Sequence, residues 1–147
     1  MDLGDLDGDG DLDLLIGNKY SASKVYEFDN ATKSYSQYWF TEHTAGTSSG
    51  GILWYDFDDD EQLDVIIGNY NGQNHGWKND PTPGEQHGIQ GGAASWVSQE
   101  SDDTIELVAG DVNGDGRADL VVVNDGYNRI NLVEWEAQHS KYYASSV

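Results

Sequence analysis

The stretch GDLDGDGDLDLLIG, residues 4–17, places an aspartate at every second position from 5 to 13 and then continues directly into Leu-Leu-Ile. The glycines inside the charged part can adopt the positive φ that lets a loop turn back on itself. The uncharged run that follows is typical of a buried β-strand bounded by turn signals. The stretch therefore predicts an acidic loop that leads into a buried strand.

This pattern occurs three times, which indicates an internal repeat. The copies begin at Asp5, Asp56 and Asp111, so they start 51 and then 55 residues apart. The correspondence continues downstream, where a bulky apolar residue follows at the same distance in each copy: Tyr26, Trp77 and Leu132. A match over this length, repeated three times, predicts three equivalent structural units.

Within each unit the local pattern is that of β-structure. An apolar run precedes the acidic loop in copies two and three, an alternating segment follows the buried strand, and an aromatic-rich segment ends the unit at residues 35–40, 94–97 and 142–147. Four strands in about 50 residues are typical of a β-propeller blade. We interpret residues 70–92, which are rich in Gly, Asn and Pro, as a long loop inside the second unit.

The sequence thus predicts an all-β chain of three four-stranded antiparallel β-propeller blades that form a partial or open propeller. We expect a single repeat domain over residues 1–147, with blades at about 1–45, 46–100 and 101–147. The first blade lacks most of its first strand, because only residues 1–4 precede its acidic loop.

The charge of the chain limits its partners. The formal net charge is −20, the pI is about 4.1 and there is no cysteine. Nucleic acid and anionic membranes would repel such a chain, whereas cations would be attracted. No apolar run approaches the ~18 residues of a membrane span. The acidic start lacks the features of a signal peptide, so a secreted protein would be seen here as its mature form or as a fragment.

The acidic loops have the composition of a calcium site. Carboxylates at loop positions 1, 3, 5 and 9 come close together once the chain turns back, and Ca²⁺ accepts six to eight such hard oxygen ligands. Zn²⁺ would prefer His or Cys, and Mg²⁺ demands a stricter octahedron. A helix-flanked calcium loop would carry Glu at position 12, whereas these loops have an apolar residue there. The residues therefore favour a calcium loop flanked by strands.

The three copies resemble the FG-GAP (also called VCBS) repeats of integrin-type β-propellers. The resemblance implies an extracellular blade with Ca²⁺ in the turn between its first two strands. It also implies the following side-chain ligands: Asp5, Asp7, Asp9 and Asp13 in the first loop; Asp56, Asp58, Asp60 and Asp64 in the second; and Asp111, Asn113, Asp115 and Asp119 in the third. The carbonyls of Asp11, Gln62 and Arg117 would complete the three sites.

The second loop departs from the pattern, because Asp59 and Glu61 replace the glycines. A residue with a side chain must then adopt the left-handed conformation at a cost of about 1 kcal/mol or more. We expect the second site to be the weakest of up to three. In each loop we expect the ion to act structurally, adding its binding energy to folding.

Several functions agree with these features. We favour a non-enzymatic, calcium-binding extracellular module with a structural or adhesive role. Three blades do not close a ring that typically has 4 to 8, so we expect self-association into a ring or filament. Two alternatives are a fragment of a larger integrin-like adhesion protein and a glycan-binding lectin with exposed Trp77 or Trp135.

Two short motifs carry weaker signals. Residues 46–50 fit the hydrolase G-x-S-x-G pattern, but a β-strand follows where that motif needs a helix, so we interpret them as a loop between blades. The sequon Asn30-Ala31-Thr32 in a predicted turn makes Asn30 a candidate N-glycosylation site.

Overall fold

The structure is a computed structural model that describes residues 1–41, 48–82, 88–89, 93–125, 130–134 and 143–146. Within these ranges it contains twelve β-strands and no helix. A membrane-spanning helix is accordingly not found in the described part of the chain.

The strands form three antiparallel sheets of four, each in simple sequential order. The first sheet comprises β1 (Asp2–Gly4), β2 (Asp13–Ile16), β3 (Lys24–Asp29) and β4 (Ser34–Phe40). The second comprises β5 (Ser48–Tyr55), β6 (Asp64–Tyr70), β7 (His75–Trp77) and β8 (Trp96–Val97). The third comprises β9 (Asp103–Gly110), β10 (Asp119–Asp125), β11 (Ile130–Glu134) and β12 (Tyr143–Ser146).

This architecture confirms the predicted all-β fold of three four-stranded antiparallel blades. The first strand of blade one is present but short, with three residues in β1 against eight in each of β5 and β9. The prediction of one long loop over residues 70–92 was wrong, because β7 lies inside that range and Asn79 forms a β-bridge with Ile89. Polar and glycine residues concealed this strand, which is only three residues long.

The strand register corrects the sequence alignment in blade three. Leu14 pairs with Tyr26 and Val65 pairs with Trp77, but the equivalent Leu120 pairs with Val133 rather than with Leu132. The connection between β10 and β11 is therefore one residue longer than its counterparts, a change that leaves the apolar pattern of the sequence almost unaltered.

The central blade supplies the core of both blade interfaces. Val65 and Ile67 of β6 face blade one, whereas Ile66 between them faces blade three. All three are at most 3% exposed. The prediction of strands buried on both faces thus holds for β6, whereas β2 and β10 alternate between buried and half-buried residues. Each fully buried aliphatic side chain contributes about 1.5–3 kcal/mol.

The described tryptophans belong to these cores. Trp39, Trp54, Trp77 and Trp96 are each at most 9% exposed. Trp77 packs edge-on against Trp39 with ring centroids 5.3 Å apart. Trp77 is therefore not the exposed glycan-binding aromatic residue that the lectin alternative required; Trp135 lies outside the described residues.

Glycines allow blades two and three to approach closely. Residues 48–50 belong to β5 and not to a loop between blades, which corrects that interpretation; residues 42–47 lie outside the described ranges. A Cβ added to Gly50 would lie 1.6 Å from the carbonyl oxygen of Thr104 in β9, and one on Gly51 would lie 2.9 Å from the amide nitrogen of Leu107. The strand β5 therefore has no room for side chains at these positions.

We predict that Gly50→Ala lowers the free energy of unfolding by about 1–3 kcal/mol, because backbone of β9 must move to admit the methyl group. Gly110→Ala is the matched control, since its Cβ would meet no atom within 4 Å. Urea unfolding of both variants measures the effect. Equal stabilities of the two variants would contradict the close packing of β5 on β9.

Candidate metal centres

The three acidic loops connect the first and second strands of their blades, at residues 5–12, 56–63 and 111–118. This is the position that the resemblance implied. Contacts between blades occur at this end of the sheets: Asn79 donates a hydrogen bond to the carbonyl of Leu6 at 3.0 Å, and Arg117 forms an ion pair with Asp59. The loops therefore share one side of the assembly.

The backbone follows the same left-handed path in each loop. Gly8 and Gly10 have φ of 74° and 92°, and Gly114 and Gly116 have φ of 80° and 90°. In the second loop Asp59 and Glu61 adopt φ of 59° and 68°, which confirms that non-glycine residues accept the left-handed turn there. A Cβ on any of the four glycines would meet no atom within 4 Å, so the conformation and not a lack of space favours glycine.

Aspartates at the first and fifth positions bind the loop backbone in the same way in every copy. The first-position carboxylate accepts a hydrogen bond from the backbone amide of the sixth residue, at 3.2 Å in loop one and 2.9 Å in loops two and three. The fifth-position side chains, those of Asp9, Asp60 and Asp115, accept the amides of Asp11, Gln62 and Arg117 at 2.9–3.0 Å. These bonds curl each loop around its own carboxylates.

The ninth-position aspartate joins each loop to the interior of its blade. Asp13, Asp64 and Asp119 are at most 2% exposed. One oxygen of each accepts the amide of the second loop residue at 2.8–3.1 Å. The other oxygen of Asp13 accepts the amide of Phe28 at 2.9 Å, and that of Asp64 accepts the amide of Asn79 at 2.7 Å. In blades one and two a buried carboxylate thus connects the loop to the end of the third strand.

In loops one and two, three carboxylates lie close enough together for each loop to hold a cation of its own. Oxygens of Asp5, Asp7 and Asp13 lie within 4.8 Å of one another, as do those of Asp56, Asp58 and Asp64. Asp5 Oδ1 and Asp58 Oδ1 are buried, and neither accepts a hydrogen bond from any described residue. A buried carboxylate oxygen without a donor is costly unless a cation binds it, so these residues fit a hard divalent ion.

The remaining predicted ligands are placed differently. Asp9 and Asp60 belong to neither cluster, and Asp11, Gln62 and Arg117 were expected to contribute only carbonyls.

In the third loop, the side-chain amide of Asn113 donates hydrogen bonds to Asp115 at 3.0 Å and to Asp119 at 3.5 Å. The carboxylate of Asp111 accepts a hydrogen bond from the backbone amide of Gly114 at 2.6 Å. Among the described residues of this loop, three acidic oxygens do not come together within the 4.8 Å seen in loops one and two.

Burial and mutual repulsion disfavour the charged form of several loop aspartates. Desolvation is the main cause that raises the pKa values of Asp7, Asp13 and Asp60, and neighbouring acids add to it. Burial raises the pKa of Asp64 to about 7, with the charges of Asp58 and Asp60 as further causes. Without a cation these groups hold protons more tightly than exposed aspartates do, so a cation and protons would compete for them.

Two residues near the loops were not identified from the sequence. Glu27 follows Tyr26 on β3 and its charge contributes to the raised pKa values of Asp7 and Asp13. Lys78, which directly follows β7, forms an ion pair with Asp58. Both lie more than a dozen residues from their loops in sequence, and only the strand register brings them there.

The candidate glycosylation residue is accessible. Asn30 is exposed in the turn between β3 and β4, where Asp29 caps the amides of Ala31 and Thr32 at 2.8 and 3.1 Å. Lys33 completes the turn with φ of 56° and donates a hydrogen bond to Asn30. The predicted turn is therefore confirmed, and the glycan itself stays a prediction.

Comparisons with known sequences agree with the repeat structure. The FG-GAP-like repeat family matches residues 5–67 and again 56–122, and the FG-GAP repeat family matches residues 105–147. The first two matches each begin at an acidic loop and end in the strand after the next loop. No curated protein matches the chain. The family matches span most of the chain, which belongs to the FG-GAP repeat family and is a β-propeller repeat module.

Proposed function

We propose that this chain is a calcium-stabilised, extracellular β-propeller module with a structural or adhesive role and no catalytic activity. The observation that carries the proposal is the first loop, where three carboxylates lie around one point and the buried Asp5 Oδ1 receives no hydrogen bond from the described residues. Calcium there would tie the loop to β2 and β3 through Asp13. FG-GAP repeats are often found in adhesion proteins, which supports the extracellular assignment.

Calcium also offsets the charge of the chain. Three bound ions would change the formal net charge from −20 to −14. The repulsion among the loop carboxylates would decrease more than the repulsion between other acids of the chain, because the loop carboxylates lie closest together. At a free concentration one hundred times the dissociation constant, each bound ion would stabilise the fold by about 2.7 kcal/mol.

We further propose that the chain associates with a second copy through the open faces of its end blades. Leu3 and Leu14 are paired on the face of blade one that points away from blade two, with Leu3 49% exposed. Val108 and Val121 are paired on the corresponding face of blade three, with Val108 47% exposed. A head-to-tail contact between these faces would give a six-bladed ring of two chains or, if it does not close, a filament.

Calcium binding is tested by calorimetry and thermal melting. We expect Ca²⁺ to bind the unmodified chain and to raise its melting temperature, and the double variant Asp5→Asn/Asp7→Asn to lose one site. Glu106→Gln, an equal charge change per residue on an exposed part of β9, should leave binding unaltered. The absence of both a binding heat and a melting shift in the unmodified chain would refute the calcium role.

The pH dependence of the metal-free chain provides a second test. Asp64 has a pKa of about 7 when folded and of about 3.8 when unfolded, so the folded state binds more protons between these values. The free energy of unfolding should therefore fall as pH rises from about 4 to about 7. Urea unfolding in metal-free buffer measures this slope, which Asp64→Asn should reduce and Ca²⁺ should oppose. A stability that rises over this range without metal would contradict the assignment.

Association is tested by light scattering and electron microscopy with calcium present. We expect particles of two or more chains, and we expect Leu3→Lys or Val108→Lys to reduce them to monomers by placing a charge in the contact. Val97→Lys, on the outer strand β8, is the control because its side chain is 42% exposed but lies off both faces. A monodisperse monomer of the unmodified chain would refute this contact.

A further inference from the structure

The first two blades place opposite charges at one equivalent position beside the acidic loop. The pairing of Leu14 with Tyr26 and of Val65 with Trp77 puts Glu27 next to Asp13 and Lys78 next to Asp64, one step further along each ladder. Glu27 adds a negative charge to loop one, since it is among the causes that raise the pKa of Asp7. Lys78 adds a positive charge to loop two.

The Lys78 ammonium binds the carboxylates that would ligate an ion in loop two. It forms an ion pair with Asp58 Oδ2, and the Asp58 side chain is only 12% exposed. Its charge also acts on Asp60, the acid at position five of the same loop, where it slightly offsets the rise in pKa that burial causes. A lysine amine is protonated at neutral pH even without a partner, so the group paired with Asp58 is a cation.

We propose that Lys78 serves as the built-in cation of the second loop, so that this loop folds without calcium and binds a divalent ion only when the ammonium is displaced. Asp58 Oδ2 cannot be fully available to an ion while the ammonium holds it, and the two positive charges would repel each other at such short range. This inference rests on the proposed calcium role of the loops, because it concerns which loop needs the ion.

The composition of the loop agrees with this assignment. Residues 56–64 contain six acidic side chains, one more than residues 5–13, and include the left-handed Asp59 and Glu61. Two basic side chains bind acids of this loop: Lys78 pairs with Asp58, and Arg117 pairs with the additional acid Asp59. The second loop thus carries its own neutralising charges, whereas Glu27 makes the first loop more negative.

The test compares Lys78→Met with the unmodified chain by calorimetric titration with Ca²⁺. We expect the variant to gain one calcium site at least tenfold tighter than any in loop two of the unmodified chain, and to show a larger rise in melting temperature on adding Ca²⁺. Adding Asp56→Asn to Lys78→Met should abolish the gained site. Lys33→Met removes an equal charge from the exposed turn after β3 and should leave the number and affinity of the calcium sites unchanged.

The comparison separates this inference from the proposed function. Calcium binding by the unmodified chain tests the proposed function. The difference in calcium binding between Lys78→Met and the unmodified chain tests the role of Lys78. Equal stoichiometry and affinity of the two proteins would overturn the inference, and so would a gained site that survives Asp56→Asn.

A second measurement does not depend on the folding of a variant. In the unmodified, metal-free chain, acetylation followed by mass spectrometry should modify Lys78 at least tenfold more slowly than Lys33, because the ammonium is held by carboxylates. Saturating Ca²⁺ should raise the rate at Lys78 and leave that at Lys33 unchanged. Equal rates at the two lysines without metal would overturn the inference.

Discussion

The buried ninth-position aspartate is the interaction on which the rest of this structure depends. Each carboxylate accepts a hydrogen bond from a loop amide, and in blades one and two also from an amide at the end of the third strand. It therefore fixes where the loop ends, where the second strand begins and which residues of the third strand lie beside the loop. Burying this charge is costly unless its oxygens are fully bonded. The backbone amides meet most of that requirement, and the half-buried acids at loop positions one and three complete the carboxylate cluster that would hold a cation.

Much of this arrangement could be predicted from the sequence, because its causes are local. The spacing of aspartates and glycines determines the loop path, and Asp59 and Glu61 follow that path although they have side chains. Uninterrupted apolar runs identify the second strands. What could not be predicted depends on pairing over longer distances: β7 is too short and polar to recognise, and the extra residue before β11 alters the register without changing the apolar pattern.

The same limit explains why Glu27 and Lys78 were not identified as neighbours of the loops. On a strand, a shift of one residue moves a side chain to the opposite face, so a charge can be assigned to a loop only once the register is known. Repeats aligned by their acidic motifs look equivalent, yet the residue at the end of the third strand gives loops one and two different electrostatic environments. Equivalent backbone and unequal charge are compatible because the backbone bonds of the loop do not involve these side chains.

The blades are also unequal in what they require from each other. Strand β6 is buried on both faces and its apolar residues alternate between the two cores, so the central blade needs a neighbour on each side. In the part of the chain that the structure describes, blades one and three each have one such neighbour, and Leu3 and Val108 remain exposed on their other faces. A chain with this much negative charge opposes its own association, since like charges repel across any contact. Ions in the loops would weaken that repulsion without touching the apolar faces, so calcium binding and blade contact would favour each other even though they occupy different parts of the blade.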